Sequence, residues 1–376
     1  MAVTALAAEM RAAGRNVIGL AAGEPDFDTP EHIKQAAIEA INEGKTKYTA
    51  VDGTPELKQA IIDKFRRDNE LDYAPDQILV SNGGKQLCYN ICQAMLGAGD
   101  EVIIPAPYWV SYPAMAMLSD ATPVELLAEM EQGFKLTPEA LEAAITDRTR
   151  LMFLNSPNNP TGAAYSRAEL QALGAVLAPH PDIVIATDDM YEHIYWGREP
   201  FTSLAQACPE LYERTITVNG VSKAYAMTGW RIGYAGGPAV IVQAMKKIQS
   251  QSTSNPCSIS QAASVAALTG DQSCLAERNQ VFRERHDYVV AALNAIPGFQ
   301  CNQSAGTFYA FPNVSGAIAA KGANDDTTFA ELLLNETEVA VVPGTAFGAP
   351  GYIRLSYATS LETLQEAIAR IAKFMG

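Results

Sequence analysis

Between residues 77 and 222, short apolar runs alternate with stretches whose apolar residues recur at helical spacing. The runs QILVSN (77–82), EVIIP (101–105), TPVELLA (122–128), RLMFLNSP (150–157) and DIVIATDD (182–189) predict strands bounded by turn-forming residues. A further strand begins at Thr215 with the alternating Ile216 and Val218, and Asn219 and Gly220 are expected to break it. Between these runs, residues 83–97, 108–118, 138–145 and 167–178 predict helices. Apolar strands alternating with helices imply an α/β fold with a largely parallel sheet covered on both faces. Ligands then gather beyond the carboxyl ends of the strands. Ser81–Gly84, Asn155–Gly162, Asp188–Tyr191 and Ser222–Lys223 all fall at such ends, which predicts one shared site.

The flanks read differently. The N-terminus predicts a helix within residues 1–17 that stops at Gly14, a strand over Ile18–Ala22, and turn chemistry over Gly23–Pro30. A helix over Pro30–Glu43, capped by Asp28 or Thr29, and another starting at Pro55 follow. After Gly237 come helices over Pro238–Gln249, Pro256–Leu268 and Asp271–Ala295. Then strands TFYAFP (307–312), VAVVP (339–343) and YIRLSYA (352–358) mix with helices over Asp326–Asn335 and Leu361–Phe374. The pattern predicts a large domain over residues 37–285. A smaller α+β domain is expected from residues 1–36 with 286–376.

Net charge of −15 argues against a nucleic-acid or anionic-membrane surface. No apolar run approaches the ~20 residues of a membrane-spanning helix. The N-terminus lacks the basic, apolar and cleavage regions of a secretion signal. The six cysteines form no CxxC pair, and Cys88 and Cys92, four apart on a predicted helix, read as small apolar packing residues. A cytoplasmic protein without a metal is expected.

Against this background Lys223 stands out. It lies on a turn just past a strand, and no other charged residue occurs from Thr215 to Trp230. An amine in apolar surroundings loses its proton readily and can form a Schiff base with a carbonyl. The bland alternative is an exposed loop lysine. Gly83-Gly84-Lys85 opens a helix, where backbone N–H groups can hold phosphate. Many strand–helix turns look the same. Arg231, flanked by Trp230 and Ile232, offers a fork for phosphate oxygens in place of a surface ion pair. Asp188, at the end of an apolar strand, is either a cap or the partner of a buried cation. Alternation points Asp189 the opposite way. Arg354, inside an apolar strand, requires a carboxylate from the chain or from a ligand. Trp109 and Tyr48 read equally as a core indole and a loop tyrosine, and Gly23 as a simple turn that lets backbone approach a ligand.

The segment SKAYAMTGWRIGY (222–234) resembles the lysine signature of the class I aminotransferases, pyridoxal-phosphate (PLP) enzymes of fold type I. The resemblance runs from AAGEPDFDTP (21–30) to RLSYATS (354–360) and is strongest to the bacterial aspartate aminotransferase branch. It implies a homodimer that moves amino groups between aspartate or glutamate and 2-oxo acids, with ping-pong kinetics. In that reading Lys223 carries the cofactor, and Asp188 keeps its pyridine nitrogen protonated. Tyr191 and Asn159 donate to the ring oxygen, and Trp109 stacks on the ring. Gly84, Lys85 and Arg231 surround the phosphate, which Tyr48 of the other subunit also reaches. Arg354 clamps the substrate α-carboxylate under Gly23. The position where one branch carries an arginine for the distal carboxylate is Ser250 here, and no arginine lies between Arg231 and Arg278, so Lys85 is the expected replacement. Related proteins carry a preceding segment with hydroxyl residues that help at the same point. A chain beginning after it implies a late start or weaker recognition. The alternatives are an aromatic or prephenate aminotransferase on the same scaffold, and a PLP-fold sensor without turnover.

Overall fold

The computed structural model describes residues 2–376. Met1, included in the first predicted helix, lies outside them. The N-terminal helix Ala2–Ala12 leads to a short strand β1 (Ile18–Gly19). The large sheet contains β2 (Ile78–Ser81), β3 (Glu101–Ala106), β4 (Thr122–Leu127), β5 (Thr149–Asn155), β6 (Val184–Asp188), β7 (Thr215–Gly220) and β8 (Gly233–Gly236). Its spatial order is β2-β8-β7-β6-β5-β3-β4. From β7 across to β4 neighbours pair in parallel, while β8 runs antiparallel to both β7 and β2. The carboxyl ends of β2, β3, β5, β6 and β7 therefore share one edge with the amino end of β8.

The two-residue period of the strands sorts the core. Val102, Ile104, Leu151, Phe153, Val184, Ala186, Ile216 and Val218 pack on one face against the helices Gly84–Met95 and Ala239–Ser252. Ile103, Met152, Leu154 and Ile185 face the other way, onto the helix Arg167–Leu177. Cys88 and Cys92 are buried in the first of these layers. Near the β2–β8 edge, the helices Glu31–Asn42, Pro55–Asn69 and Ser258–Thr269 cover Ile78, Val80 and Tyr234. A separate apolar cluster joins Ala7–Leu20 to Val289–Ile371. It draws on β9 (Tyr309–Ala310), β10 (Val339–Ala340) and β12 (Ile353–Ser356), and β11 (Val342–Pro343) pairs with β12 beside it. Here β1 pairs with β10, and β12 lies between β11 and β9.

Several sequence expectations need correction. The helix expected over 108–118 forms only over Tyr112–Met117. Pro113 sits in its first turn, the one place where a helix tolerates proline, so the preceding residues stay irregular. Neither Asp28 nor Thr29 caps the second helix. Pro30 holds the cap position, and the Thr29 hydroxyl donates to the Ala226 carbonyl at 2.7 Å. Asn219 and Gly220 remain in β7, paired with Tyr234 and Gly233. The run VAVVP divides into β10 and β11, which belong to different sheets. The helices Leu204–Ala207 and Ser315–Lys321 were not expected; both are short and carry few large apolar residues. By contrast the helix start at Pro55 matches, with the Thr54 hydroxyl accepting from the Leu57 N–H at 3.3 Å.

One close approach sets the edge of the sheet. A Cβ on Gly233 would lie 2.4 Å from the Gly84 nitrogen and 2.5 Å from the Gly83 carbonyl carbon. The loop at the end of β2 can rest on the start of β8 only because that position is glycine. Gly233→Ala should push this loop outward and lower unfolding stability by about 1–3 kcal/mol, the usual cost of overpacking. Urea denaturation checks it, and an unchanged midpoint would contradict it.

Candidate active site

A cleft of about 660 Å³ opens at the shared edge of the large sheet. Its walls carry Gly23, Gly84, Lys85, Trp109, Asn159, Asp188, Tyr191, Lys223, Arg231 and Arg354. Of the residues singled out in the sequence only Tyr48 is not brought there. It stands on the surface, 93% exposed.

Lys223 follows the end of β7 by three residues and reaches across the cleft to donate to the Gly23 carbonyl. Its Nζ lies 6.0 Å from the ring centres of both Tyr191 and Phe308. Burial lowers its pKa to about 8, and the Arg354 and Arg231 charges act in the same direction. A substantial neutral fraction therefore exists near physiological pH.

Asp188 ends β6 on the face that carries Val184 and Ala186. The Tyr112 hydroxyl donates to its Oδ2 at 2.7 Å, and the Met190 N–H to its Oδ1 at 3.3 Å. Burial raises its pKa, and these two donors and the Lys223 charge offset that only in part. Asp189 points to the opposite side, as alternation requires, and is buried away from the cleft.

Arg354 lies on β12, and only 8% of it is exposed. Its Nη1 donates to Asn159 Oδ1 at 2.8 Å and its Nη2 to the Ala21 carbonyl at 2.9 Å. The guanidinium is 4.4 Å from the Tyr309 ring centre and 4.9 Å from that of Phe347. Among the described residues it has no carboxylate partner, and its Nε has no acceptor at all. An internal ion pair is thus not what holds this arginine. An uncompensated buried charge costs several kcal/mol, and a ligand carboxylate would remove that cost. The Tyr191 and Tyr309 hydroxyls are 3.1 Å apart, and burial, followed by the Tyr309 contact, keeps Tyr191 protonated as a donor.

The other end of the cleft is built for an anion. The helix Gly84–Met95 starts there without a side-chain cap, and the Gly84 and Lys85 N–H groups have no acceptor among the described residues. Gly83 has φ +82°, and a Cβ on it would strike Arg231 Nη2 at 2.3 Å, so glycine lets the guanidinium lie on the loop. Arg231 donates to the Thr228 and Asn82 carbonyls at 2.8 and 3.1 Å. Lys85 extends from the same turn over the Trp109 ring at 4.8 Å and donates to the Ser111 hydroxyl at 3.1 Å.

Sequence reasoning missed Tyr112, Tyr309, Phe347 and Glu24, all of which line or buttress the cleft. Ser222, expected beside Lys223 at the shared strand ends, lines it as well. Glu24 sits in the turn after Gly23 and accepts from the Thr228 hydroxyl at 3.0 Å. Tyr112, Tyr309 and Phe347 gave no signal, since each reads as an ordinary core aromatic.

Comparison with known proteins places this architecture. Residues 15–371 match the family described as aminotransferase class I and II. The chain is 57% identical over 381 residues to an aspartate/prephenate aminotransferase of Nitrosomonas europaea, covering 100% of this chain and 96% of that protein. It is 59% identical to a protein of the same description from Cereibacter sphaeroides, covering 100% of this chain and 95% of the other. The crystal structure of the aspartate aminotransferase from Rhizobium meliloti superposes with a TM-score of 0.96 at 53% identity, over 99% of this chain and 94% of that one. The Thermus thermophilus aspartate aminotransferase with maleate superposes at 0.92 and 44% identity, over 99% of this chain and 95% of that one. With the sheet, the lysine turn and the full-length likeness in agreement, this chain belongs to the class I and II aminotransferases.

Proposed function

We propose that this protein is a PLP-dependent aminotransferase that exchanges the amino group of L-aspartate or L-glutamate with 2-oxo acids. The observation that carries the reading is Lys223, an amine lowered to about 8 in a cleft with two guanidiniums that have no carboxylate partner among the described residues. The residues present fit the cofactor. The uncapped Gly84 and Lys85 N–H groups with Arg231 suit its phosphate, and the orphaned Arg354 Nε suits a substrate carboxylate. When bound, PLP would supply an aldehyde carbon that carries the amine between half-reactions and a ring that withdraws electrons from it.

The chain's own residues divide the work. Lys223 offers a neutral amine for covalent attachment and, once displaced, a base that moves a proton at the substrate Cα. Asp188, whose carboxyl burial raises above its ordinary value, would serve as the counter-charge that keeps the ring nitrogen protonated. Tyr191 and Asn159 would donate to the ring oxygen, and Trp109 would form one wall for the ring. Arg354 fixes the α-carboxylate, and the Gly23 segment closes over it. Lys85 is left as the cation for a distal carboxylate. The maleate in the Thermus thermophilus structure, a dicarboxylate, is in keeping with that use.

The proposal extends to the assembly and its setting. A large domain over residues 37–285 and a small one from 1–36 with 286–376 are in keeping with two main apolar clusters, although Tyr191, Ile194 and Phe282 pack with the small-domain cluster and Ile33 with the large domain. Tyr48, so fully exposed, suits contact with the phosphate site of a second copy in a homodimer. The six unpaired thiols suit a cytoplasmic location. No described helix is long and apolar enough to cross a membrane. A second reading, in which prephenate is also accepted, is favoured by the names of the two relatives from Nitrosomonas europaea and Cereibacter sphaeroides, and by the apolar walls Trp109, Val110 and Phe347.

The direct test is spectroscopic. The purified protein with PLP should show a visible band that changes on adding aspartate. Borohydride reduction and peptide mapping should then place the pyridoxyl group on Lys223. A label on another lysine, or a band indifferent to aspartate and glutamate, would overturn the reading.

Selectivity provides a second prediction. Lys85→Ala should lower kcat/KM for aspartate and glutamate by roughly 30- to 1000-fold, equivalent to about 2–4 kcal/mol. Phenylalanine, which has no distal carboxylate, should lose far less. Equal losses for both substrates would reject Lys85 as the selecting cation.

A further inference from the structure

Directly behind the site lies a buried charge cluster that the mechanism above does not use. Lys64, on the helix Pro55–Asn69, has a fully buried side chain. Its Nζ pairs with Glu192 and donates to Asn69 Oδ1 at 2.7 Å. Asn69 Nδ2 in turn donates to Glu192 Oε2 at 2.8 Å. His193 Nε2 lies 3.2 Å from Glu192 Oε1 and 3.4 Å from Asp68 Oδ2, and Arg67 grips Asp68 at 2.7 and 3.0 Å. Burial opposes the Glu192 charge, but Lys64, His193 and Asn69 more than offset it and hold this carboxyl well below the usual range. Asp189 takes the reverse course. Burial and the adjacent Glu192 charge push its carboxyl well above the ordinary value. Asp68, Glu192 and His193 bring their donor atoms within 4.8 Å of one another, a spacing that could suit a metal ion. The Lys64 ammonium already occupies the cationic place on Glu192, so the cluster has its cation.

We propose that the Lys64–Glu192 pair is a positioning element that locks the turn 188–193 and thereby aims Asp188 and Tyr191 into the cleft. This rests on the aminotransferase reading of that cleft. The turn has two sides. Asp188 and Tyr191 line the site, whereas Asp189 and Glu192 are buried away from its lining, and Glu192 is held from the helix Pro55–Asn69. Its backbone is short and closed on itself. Glu192 N–H donates to the Asp189 carbonyl at 3.0 Å, Ile194 N–H to the Tyr191 carbonyl at 2.8 Å, and Met190 N–H to Asp188 Oδ1 at 3.3 Å. A rotation at Glu192 is therefore passed to its neighbour Tyr191, whose hydroxyl must stay near that of Tyr309. Buried ion pairs are weak sources of stability compared with apolar packing of similar volume, but in some proteins they select one arrangement. That is the property a positioning device needs.

The test replaces both charges at once, Lys64→Met with Glu192→Leu, so that neither is left buried alone. In the holoenzyme the double variant should keep a Tm close to the parent and a KM for aspartate within about threefold, since Arg354 and Lys85 are untouched. Its kcat should fall at least about tenfold. The pH midpoint of the visible band should rise by about 0.5 or more, because a displaced Tyr191 donor no longer favours the deprotonated form. A purely structural role would move Tm and leave the midpoint in place. If the double variant fails to fold, Asn69→Leu, which keeps the ion pair but removes one of the bonds that orient Glu192, should shift kcat and the midpoint the same way by smaller amounts. A variant that folds with both quantities unchanged overturns the inference while a responsive wild-type band leaves the function standing. A wild type without such a band removes both.

Discussion

Lys85, Lys223, Arg231 and Arg354 all face one cleft, and among its lining residues only Asp188 and Glu24 carry carboxyls. Like charges so confined destabilise the free chain unless anions arrive to join them. The rest of the site follows from that imbalance. Arg354 is held by amide and carbonyl oxygens and by two aromatic faces, none of which cancels its charge. Arg231 rests on backbone carbonyls alone. Burial first, and then the fields of these guanidiniums, lower the Lys223 pKa to about 8, where an amine can act as a nucleophile and a base. A ligand bearing a phosphate and a substrate bearing carboxylates supply the missing negative charge, so binding and activation draw on one electrostatic surplus.

The fold makes this surplus possible by bringing the cations from three separated stretches of chain. The antiparallel β8 matters here, because its reversal places Arg231 at the edge where the parallel strands end. The glycines at 83 and 233 let the phosphate-side loop lie flat on that edge. Arg354 arrives from the other apolar cluster, on β12, and closes the cleft from the opposite side.

Much of this was legible in the sequence because it depended on local pattern. Lys223 was marked by a strand end and a stretch free of other charges. Alternation set Asp188 and Asp189 on opposite sides, since β6 continues regularly through Asp188, and the family resemblance chose Asp188. Arg354 was marked by its apolar strand, but whether the chain itself supplied a carboxylate could be decided only in three dimensions. The residues that escaped depend on distant neighbours. Tyr112 becomes part of the site because its hydroxyl meets Asp188, 76 positions away. Lys64 sits in KFRRDN, which reads as the basic, solvated face of a helix. It is buried only because Glu192 comes to it from a different element. Around Trp109 the apolar spacing suggested helix, and Pro113 delayed the helix start, which left the indole free to line the cleft.

The charge state of Lys223 in the protein free of ligand decides whether the positive cleft activates it. Titrating this one amine, by the chemical shift of ¹³C-labelled lysine in wild type and in Arg354→Met, measures it directly. The wild-type amine should titrate near pH 8, and removing the Arg354 charge should move it up toward the ordinary lysine value of 10.5. A wild-type midpoint near 10.5, or no movement on losing Arg354, would contradict the claim that an uncompensated positive cleft activates the lysine.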